Sequence, residues 1–337
     1  MPTPPAPPRE PLVVRVPNYV GDVVLCLPAF ELLTEAGYDL HLYGKGFLRS
    51  LTTGHPGWRV VIRAGKVPAR IAQLRALRAG LARAGRGRPA ALALPHSFSS
   101  ALELRLGGFA VAGLPTDGRS FLLSRRLTAG PERHSMPRFL SIAADFARRP
   151  YAVPAALGLA LPADAIERAR REAAAFDDGR GFVCVAPFVG ASSIDPPKKW
   201  PGFPELVRRL RADGVVVVLC PGPGETAEAH ERYPGATIVE DLPLDAYAAL
   251  MSMARLVVAG DTGPGHVAAA VGARLISVVG PTPVDLWRPW GPTVTVLART
   301  PEFPSMDEVL GAARTALGIG PGTDPARSPA LAAGTPR

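Results

Sequence analysis

The chain is poor in several things that would each announce a function class. It has only three cysteines among 337 residues, Cys26, Cys184 and Cys220, set in apolar stretches with no CxxC spacing. That excludes a disulfide framework and a cysteine zinc site, and suits a reducing compartment. No apolar run approaches the ~20 residues that cross a bilayer. The N-terminus, Met1-Pro2-Thr3-Pro4-Pro5, lacks the basic and apolar regions of a signal peptide, so a cytoplasmic protein is expected. Aromatic residues make up only 7%, and no RNP-type aromatic motif or zinc finger is present, so nucleic acid is not an expected partner. There is no D-x-D triplet, P-loop GKS/T, H-E-x-x-H or G-x-S-x-G. No metal site and no cofactor is therefore expected.

What is present is a globular composition, 47% hydrophobic and 20% charged, long enough for two domains. The charge is unevenly distributed. Residues 1–155 hold 21 Lys/Arg against 9 Asp/Glu, a net of +12, whereas residues 156–337 hold 17 against 20, a net of −3. A basic half suggests an anionic partner, either a phosphorylated substrate or an anionic membrane surface. Arginine used simply as a solubilising surface residue is the plainer alternative.

Short apolar runs alternate with helical patterns in both halves. The first half has strand candidates at 12–16, 39–43, 59–62, 90–94 and 109–112, with helices at 22–36, 66–84 and 137–148. The second has strands at 182–186, 215–220, 237–239, 256–259 and 275–279, with helices at 203–212, 225–233, 244–253 and 265–271. Continuous runs such as Val215-Val216-Val217-Val218 fit strands buried on both faces of a parallel sheet. The alternation, given twice, predicts an α/β fold of two Rossmann-like doubly wound domains facing a cleft. The expected layout is a disordered leader at 1–11, a basic Rossmann-like domain at 12–155 and a linker region at 156–180. A second Rossmann-like domain at 181–320 and a disordered tail at 321–337 follow.

Three strand-end segments could carry chemistry. In Val20-Gly21-Asp22 a glycine turn puts Asp22 where open α/β sheets bind ligands; a helix-capping aspartate is the alternative. In Pro187–Pro201, Ser192, Ser193 and Lys198-Lys199 make an anion cradle or a solvated turn. In Ala259-Gly260-Asp261-Thr262-Gly263-Pro264-Gly265-His266 a buried strand meets a helix start whose amides suit a diphosphate. His266, one turn in, either bonds an anion or caps local structure. Gly222-Pro223-Gly224-Glu225-Thr226-Ala227 matches G-x-G-x-x-A, but it does not follow a first strand and Pro223 removes an amide, so it is a poor dinucleotide fingerprint.

In order and spacing these segments resemble glycosyltransferase family 9, the lipopolysaccharide heptosyltransferases, over roughly residues 12–317. Arg15 to Asp22 with Pro28-Ala29 resembles the family's amino-terminal signature, particularly the heptosyltransferase II form. Lys198-Lys199-Trp200-Pro201 is similar to its K-[RH]-W-P block. Asp261-Thr262-Gly263 with His266-Val267-Ala268-Ala269-Ala270, then Gly280-Pro281-Thr282, is similar to its D-[ST]-G-x-x-H-x-A-A signature. Pro264-Gly265 and the Pro196-Pro197 stretch depart from the pattern.

The resemblance implies a GT-B fold and a metal-independent inverting transfer of heptose from ADP-heptose to the lipopolysaccharide inner core. The domain at 12–155 is then expected to bind the acceptor and the domain at 181–320 the nucleotide sugar, with Asp22 as the catalytic base. Ser192, Ser193, Lys198, Asp261, Thr262, Gly263 and His266 would hold the donor diphosphate, and Glu225, Leu242 and Leu244 the nucleoside. An anionic lipopolysaccharide acceptor and peripheral contact with the cytoplasmic face of the inner membrane are the implied partners. Another nucleotide sugar, a nucleotide-sugar epimerase and a non-catalytic anionic glycolipid-binding protein remain as alternatives.

Overall fold

The computed structural model describes residues 9–82, 89–189 and 198–319. The chain divides into two compact units, residues 1–160 and 161–337.

In the first unit the strands are β1 (Glu10–Arg15), β2 (Tyr38–Gly44), β3 (Arg59–Ile62), β4 (Ala90–Ala93), β5 (Ala110–Gly113) and β6 (Arg125–Arg126). They form one six-stranded sheet in the order β3-β2-β1-β4-β5-β6, and all pairings are parallel. The helices are α1 (Val20–Val24), α2 (Leu27–Glu35), α3 (Phe47–Leu51), α4 (Val67–Ala82), α5 (Phe98–Leu106) and α6 (Ser135–Ala147).

The second unit repeats the plan. Its strands are β7 (Phe182–Ala186), β8 (Val216–Leu219), β9 (Thr237–Ile238), β10 (Leu256–Gly260), β11 (Leu275–Val279) and β12 (Val294–Ala298). The order is β12-β11-β10-β7-β8-β9, again wholly parallel. Its helices are α7 (Ala163–Ala174), α8 (Phe203–Ala212), α9 (Thr226–Arg232), α10 (Leu244–Met253), α11 (Gly263–Ala270), α12 (Val284–Trp287) and α13 (Met306–Leu317).

Each sheet therefore has the doubly wound order 3-2-1-4-5-6, and the α/β reading holds, with two Rossmann-like units of the GT-B type. In such sheets the strand order reverses between the first and fourth strands, and ligands bind beyond the carboxyl ends at that point. Here those switch points lie between β1 and β4 and between β7 and β10.

The cores follow from the strand sequences. All five residues of β7, β10 and β11 are buried, as expected where helices cover both faces. In the second unit Val183, Val185, Val258 and Val278 pack with Phe203, Leu206 and Leu210 of α8 and Val309 of α13. In the first unit Val13, Ala91, Ala93 and Val111 pack with Leu74 of α4 and Leu104 of α5.

Several sequence expectations need correcting. The helix read over 22–36 is two helices, because Pro28 cannot donate to the carbonyl four residues back and so sits in the first turn of α2. The stretch 1–11, read as leader, gives its last two residues, Glu10 and Pro11, to β1. The stretch 156–180, read as linker, contains α7, which packs against α10 through the stripe Ala165, Ala169 and Ala173. Alanines at helical spacing bury a face without looking apolar in a sequence so rich in arginine and glutamate. The segments β6, β12, α3, α5, α12 and α13 have no counterpart in the sequence reading. The tail from 321 onward lies outside the described residues.

Candidate active site

The candidate residues of the first unit gather at the carboxyl end of β1. Arg15, only 2% exposed, donates through Nη2 to Asn18 Oδ1 at 2.7 Å and through Nη1 to the Val16 carbonyl. Burial and the nearby Arg63 lower its pKa to about 10, so it stays charged at neutral pH. This arginine braces the turn Pro17–Tyr19, from which α1 starts. Tyr19 is the N-cap in extended conformation, and its carbonyl accepts from Val23 N at 3.1 Å. Asp22 is thus the third residue of α1, half-buried, and not the cap.

Beyond the adjacent strand, β4, lies Pro95-His96-Ser97. Arg119, fully buried, clamps this loop: Nη1 donates to the Pro95 carbonyl at 2.5 Å and the Ser97 carbonyl at 3.1 Å, and Nε to the Leu114 carbonyl at 2.8 Å. Thr116 Oγ1 donates to the His96 carbonyl at 3.2 Å. Burial, with Arg138 and Arg119 nearby, lowers the His96 pKa and keeps the ring neutral. Sequence reading missed His96 and Arg119. The one signal was position, because His96 follows a short apolar run as Asp22 does.

In the second unit, parallel pairing puts five loops at one edge of the sheet. Lys198 returns to this edge and its Nζ lies 3.0 Å from Asp261 Oδ2. The same carboxylate oxygen accepts from Thr282 Oγ1, in the loop after β11. Thr262 caps α11 in extended conformation but makes no side-chain capping bond. Its hydroxyl Oγ1 is shielded from solvent and has no hydrogen-bond partner among the described residues. Gly263 opens α11, and His266, 7% exposed, sits in its first turn.

Gly265, one half of the departure from the family pattern, has a packing reason. A Cβ there would meet Ala259 Cβ and the Gly260 carbonyl oxygen, both at 3.4 Å, so glycine seats α11 close on β10. Lys199 is committed elsewhere: its Nζ pairs with Glu228 and lies 5.4 Å from the Phe188 ring centroid.

Glu225 lies beyond β8, where its Oε2 accepts from Gly222 N at 2.7 Å and shapes the glycine loop. Leu242 and Leu244, half-buried, follow β9 beside Asp241, which holds a left-handed backbone (φ 50°) and whose carbonyl accepts from Arg168 at 3.1 Å. Lys198, Asp261, Thr262, Gly263, His266, Glu225, Leu242 and Leu244 thus share one sheet edge. Ser192 and Ser193 lie outside the described residues. No group of three His, Cys, Asp or Glu suited to a metal is present among the described residues, and no helix there is long and apolar enough to cross a membrane. Burial pushes the Cys184 thiol up to about 12 and raises those of Cys26 and Cys220, so none is a nucleophile at neutral pH.

Residues 80–309, more than half of the chain, match the model of glycosyltransferase family 9 (heptosyltransferase). The chain belongs to this family. A curated relative, lipopolysaccharide heptosyltransferase 3 of Escherichia coli, is 31% identical over 142 residues. That match spans 39% of this chain and 41% of the relative, so less than half of the relative's length is matched.

Among solved structures, E. coli ADP-heptose lps heptosyltransferase II is 20% identical with a TM-score of 0.75, covering 91% of this chain and 98% of that one. A family 9 glycosyl transferase from Veillonella parvula DSM 2008 is 16% identical with a TM-score of 0.77, covering 92% and 98%. E. coli heptosyltransferase WaaC with ADP is 20% identical with a TM-score of 0.69, covering 91% and 100%. At these identities the likeness is one of fold, and it spans nearly the whole of each of these three chains.

Proposed function

We propose that the chain is an inverting heptosyltransferase that moves heptose from ADP-heptose to an anionic lipopolysaccharide inner-core acceptor. The observation that carries the reading is the second unit's switch point. A lysine held by a carboxylate, the start of α11 and a buried threonine hydroxyl without a partner among the described residues converge there. That donor set suits a diphosphate. Support comes also from the relatives' names, which include heptosyltransferases solved with ADP and with ADP-2-deoxy-2-fluoro heptose.

Lys198, Thr262, the Gly263 amide and His266 bind the diphosphate in this reading, and Ser192 and Ser193, outside the described residues, are assigned to it from the sequence alone. Asp261, carrying the charge of the wrong sign for a phosphate, acts by holding Lys198 and Thr282 in place. Glu225 keeps one carboxylate oxygen for Gly222 and offers the other to the ribose, while the backbone around Leu242 and Leu244 meets the base. Asp22 accepts the acceptor hydroxyl's proton as that oxygen attacks the anomeric carbon. The C–O bond to the diphosphate breaks, and ADP leaves with the electron pair. General-base assistance is worth ~10²–10⁴ in rate, and one preorganised donor to the developing charge ~2.7–4 kcal/mol. The acceptor's lipid anchor would bring the enzyme to the cytoplasmic face of the inner membrane as a peripheral protein.

The test is to mix the protein with ADP-heptose and truncated lipopolysaccharide. ADP release that requires the acceptor supports the proposal. Isomerisation of the sugar without acceptor, or binding without turnover, would overturn it, and a panel of other nucleotide sugars tests donor choice.

A further inference from the structure

An open sheet has two edge strands, and each edge presents a row of main-chain N–H and C=O groups that another chain can pair with. The edges here are β3 and β6 in the first unit and β12 and β9 in the second. Three of them are blunted by charge or shortness, the usual protections of a sheet edge. β3 opens with Arg59 and runs into Arg63, β6 is the dipeptide Arg125-Arg126, and β9 is two residues long with Glu240-Asp241 soon after it.

β12 has neither protection. It is five residues long, Val294-Thr295-Val296-Leu297-Ala298, and from Thr293 to Ala298 there is no charged residue and no proline. Its register runs unbroken from Val294 opposite Leu275 to Ala298 opposite Val279, so no bulge turns it away from a partner. The pairing is parallel, and Leu275 N donates to the Thr293 carbonyl at 3.0 Å. Along such a strand both main-chain groups of a residue point to one side, and the side alternates. Thr293, Thr295 and Leu297 therefore face β11, while Val294, Val296 and Ala298 turn their N–H and C=O groups outward. No hydrogen bond reaches those outward groups among the described residues. The side chains are open too. Thr295 and Ala298 are exposed and Val294, Val296 and Leu297 half-buried, whereas all five residues of β11 are buried.

The sequence of this edge complements itself. Laid antiparallel about a two-fold axis at Val296, that residue meets Val296 of a second copy, and Val294 meets Ala298. On the opposite face Thr295 meets Leu297. Arg299, just past the strand, falls opposite Thr293 and not another arginine, so no like charges oppose each other. The three outward residues of each copy exchange two hydrogen bonds per facing pair, six in all. A two-fold contact needs one self-complementary surface and closes after two copies.

We propose that β12 pairs with β12 of a second copy of this chain, joining two six-stranded sheets into one of twelve strands. The edge covers less than the ~800 Å² per partner of a standard stable interface, so the dimer is reversible, in the micromolar range. Strands of the two sheets run in opposite directions across the axis, so the edges carrying Lys198 and Asp261 face opposite ways and stay open. The dimer does not depend on the transfer reaction.

Sedimentation velocity of the full chain is measured from low to high micromolar concentration, and a monomer giving way to a dimer is expected. Val296→Lys sets two ammonium groups against each other across the axis and should weaken dimerisation ~10-fold or more. Val296→Cys should cross-link two copies under mild oxidation, because residues that exchange hydrogen bonds across antiparallel strands stand ~5.5 Å apart at Cα, within disulfide reach. Thr295→Cys should not, since its two copies lie two residues out of register, beyond the ~7 Å limit. The wild-type chain, with Cys26 and Cys184 buried and Cys220 half-buried, is the control.

A wild-type chain that stays monomeric, Val296→Lys that dimerises as tightly as wild type, or Thr295→Cys that cross-links as readily as Val296→Cys would each overturn the proposal. Assemblies that grow beyond two copies would overturn it as well. If Val296→Lys lowers the melting temperature, the two cysteine variants, close in size to the residues they replace, decide.

Discussion

Lys198→Ala should cost ADP affinity where Lys199→Ala does not, although the residues are adjacent and chemically identical. The Lys198 ammonium has three N–H donors. Asp261 Oδ2, at 3.0 Å, engages one of them, leaving two to face the diphosphate. A hydrogen bond to a charged group contributes ~1.5–3 kcal/mol, a factor of ~10–150 in Kd. The Lys198 side chain is 26% exposed and already shares its charge with a carboxylate, which pulls the expectation to the lower end, ~10–30-fold. Lys199 is spent on Glu228 and the face of Phe188. Removing it leaves Glu228 with Arg232 at 3.1 Å, so the cost falls on stability, at ~1 kcal/mol or less, and not on the nucleotide. Calorimetric titration of each variant with ADP at one ionic strength, with melting curves alongside, separates the two effects. Lys199→Ala losing as much affinity as Lys198→Ala, or Lys198→Ala losing less than about threefold, would refute the assignment of the diphosphate lysine.

Other outcomes follow from the same geometry. Asp22→Asn, which keeps the shape and an acceptor oxygen in α1, should fold normally and bind ADP normally but lose ~10²-fold or more in kcat; near wild-type turnover would remove Asp22 as base. Acceptor KM should rise steeply between 0.1 M and 1 M salt, as the Debye length shrinks from ~10 Å to ~3 Å, while ADP Kd in the near-neutral second unit responds less. Equal slopes would make the first unit's arginines mere solubilising charge. On the acid side, Arg299 and the Ser305 capping bonds hold the Glu308 carboxyl at about 2, and Arg208 and Arg209 do the same for Glu205. Both pKa values are depressed from 4.5, so this contribution is whole above that pH and drains as pH falls toward 2. Glu308→Gln should flatten the acid limb of a melting-temperature profile, modestly because the group is exposed, and an unchanged limb would contradict the linkage.

The sequence by itself determined the class of the fold and the places where chemistry could lie. Runs such as Phe182–Ala186 and Leu275–Val279 have the boundaries their apolar content predicts, because a strand buried on both faces must be hydrophobic throughout. α8 and α10 likewise end where the sequence predicts, and every candidate residue that falls within the described chain follows a strand's carboxyl end. Elements whose stabilisation is not written in apolar residues stayed hidden. α7 buries only alanines, and β6 is two arginines that form a strand because an edge of β5 is there to pair with.

Strand order was the decision of tertiary structure alone, since spacing along a chain does not say which strands become neighbours. Pairing β1 with both β2 and β4, and β7 with both β8 and β10, created the two switch points, and so decided that Lys198 meets Asp261 and that His96 comes to the edge that carries Asp22. The division of labour between Lys198 and Lys199 is of the same kind. Two adjacent lysines are indistinguishable until the fold brings a different carboxylate, Asp261 or Glu228, to each ammonium.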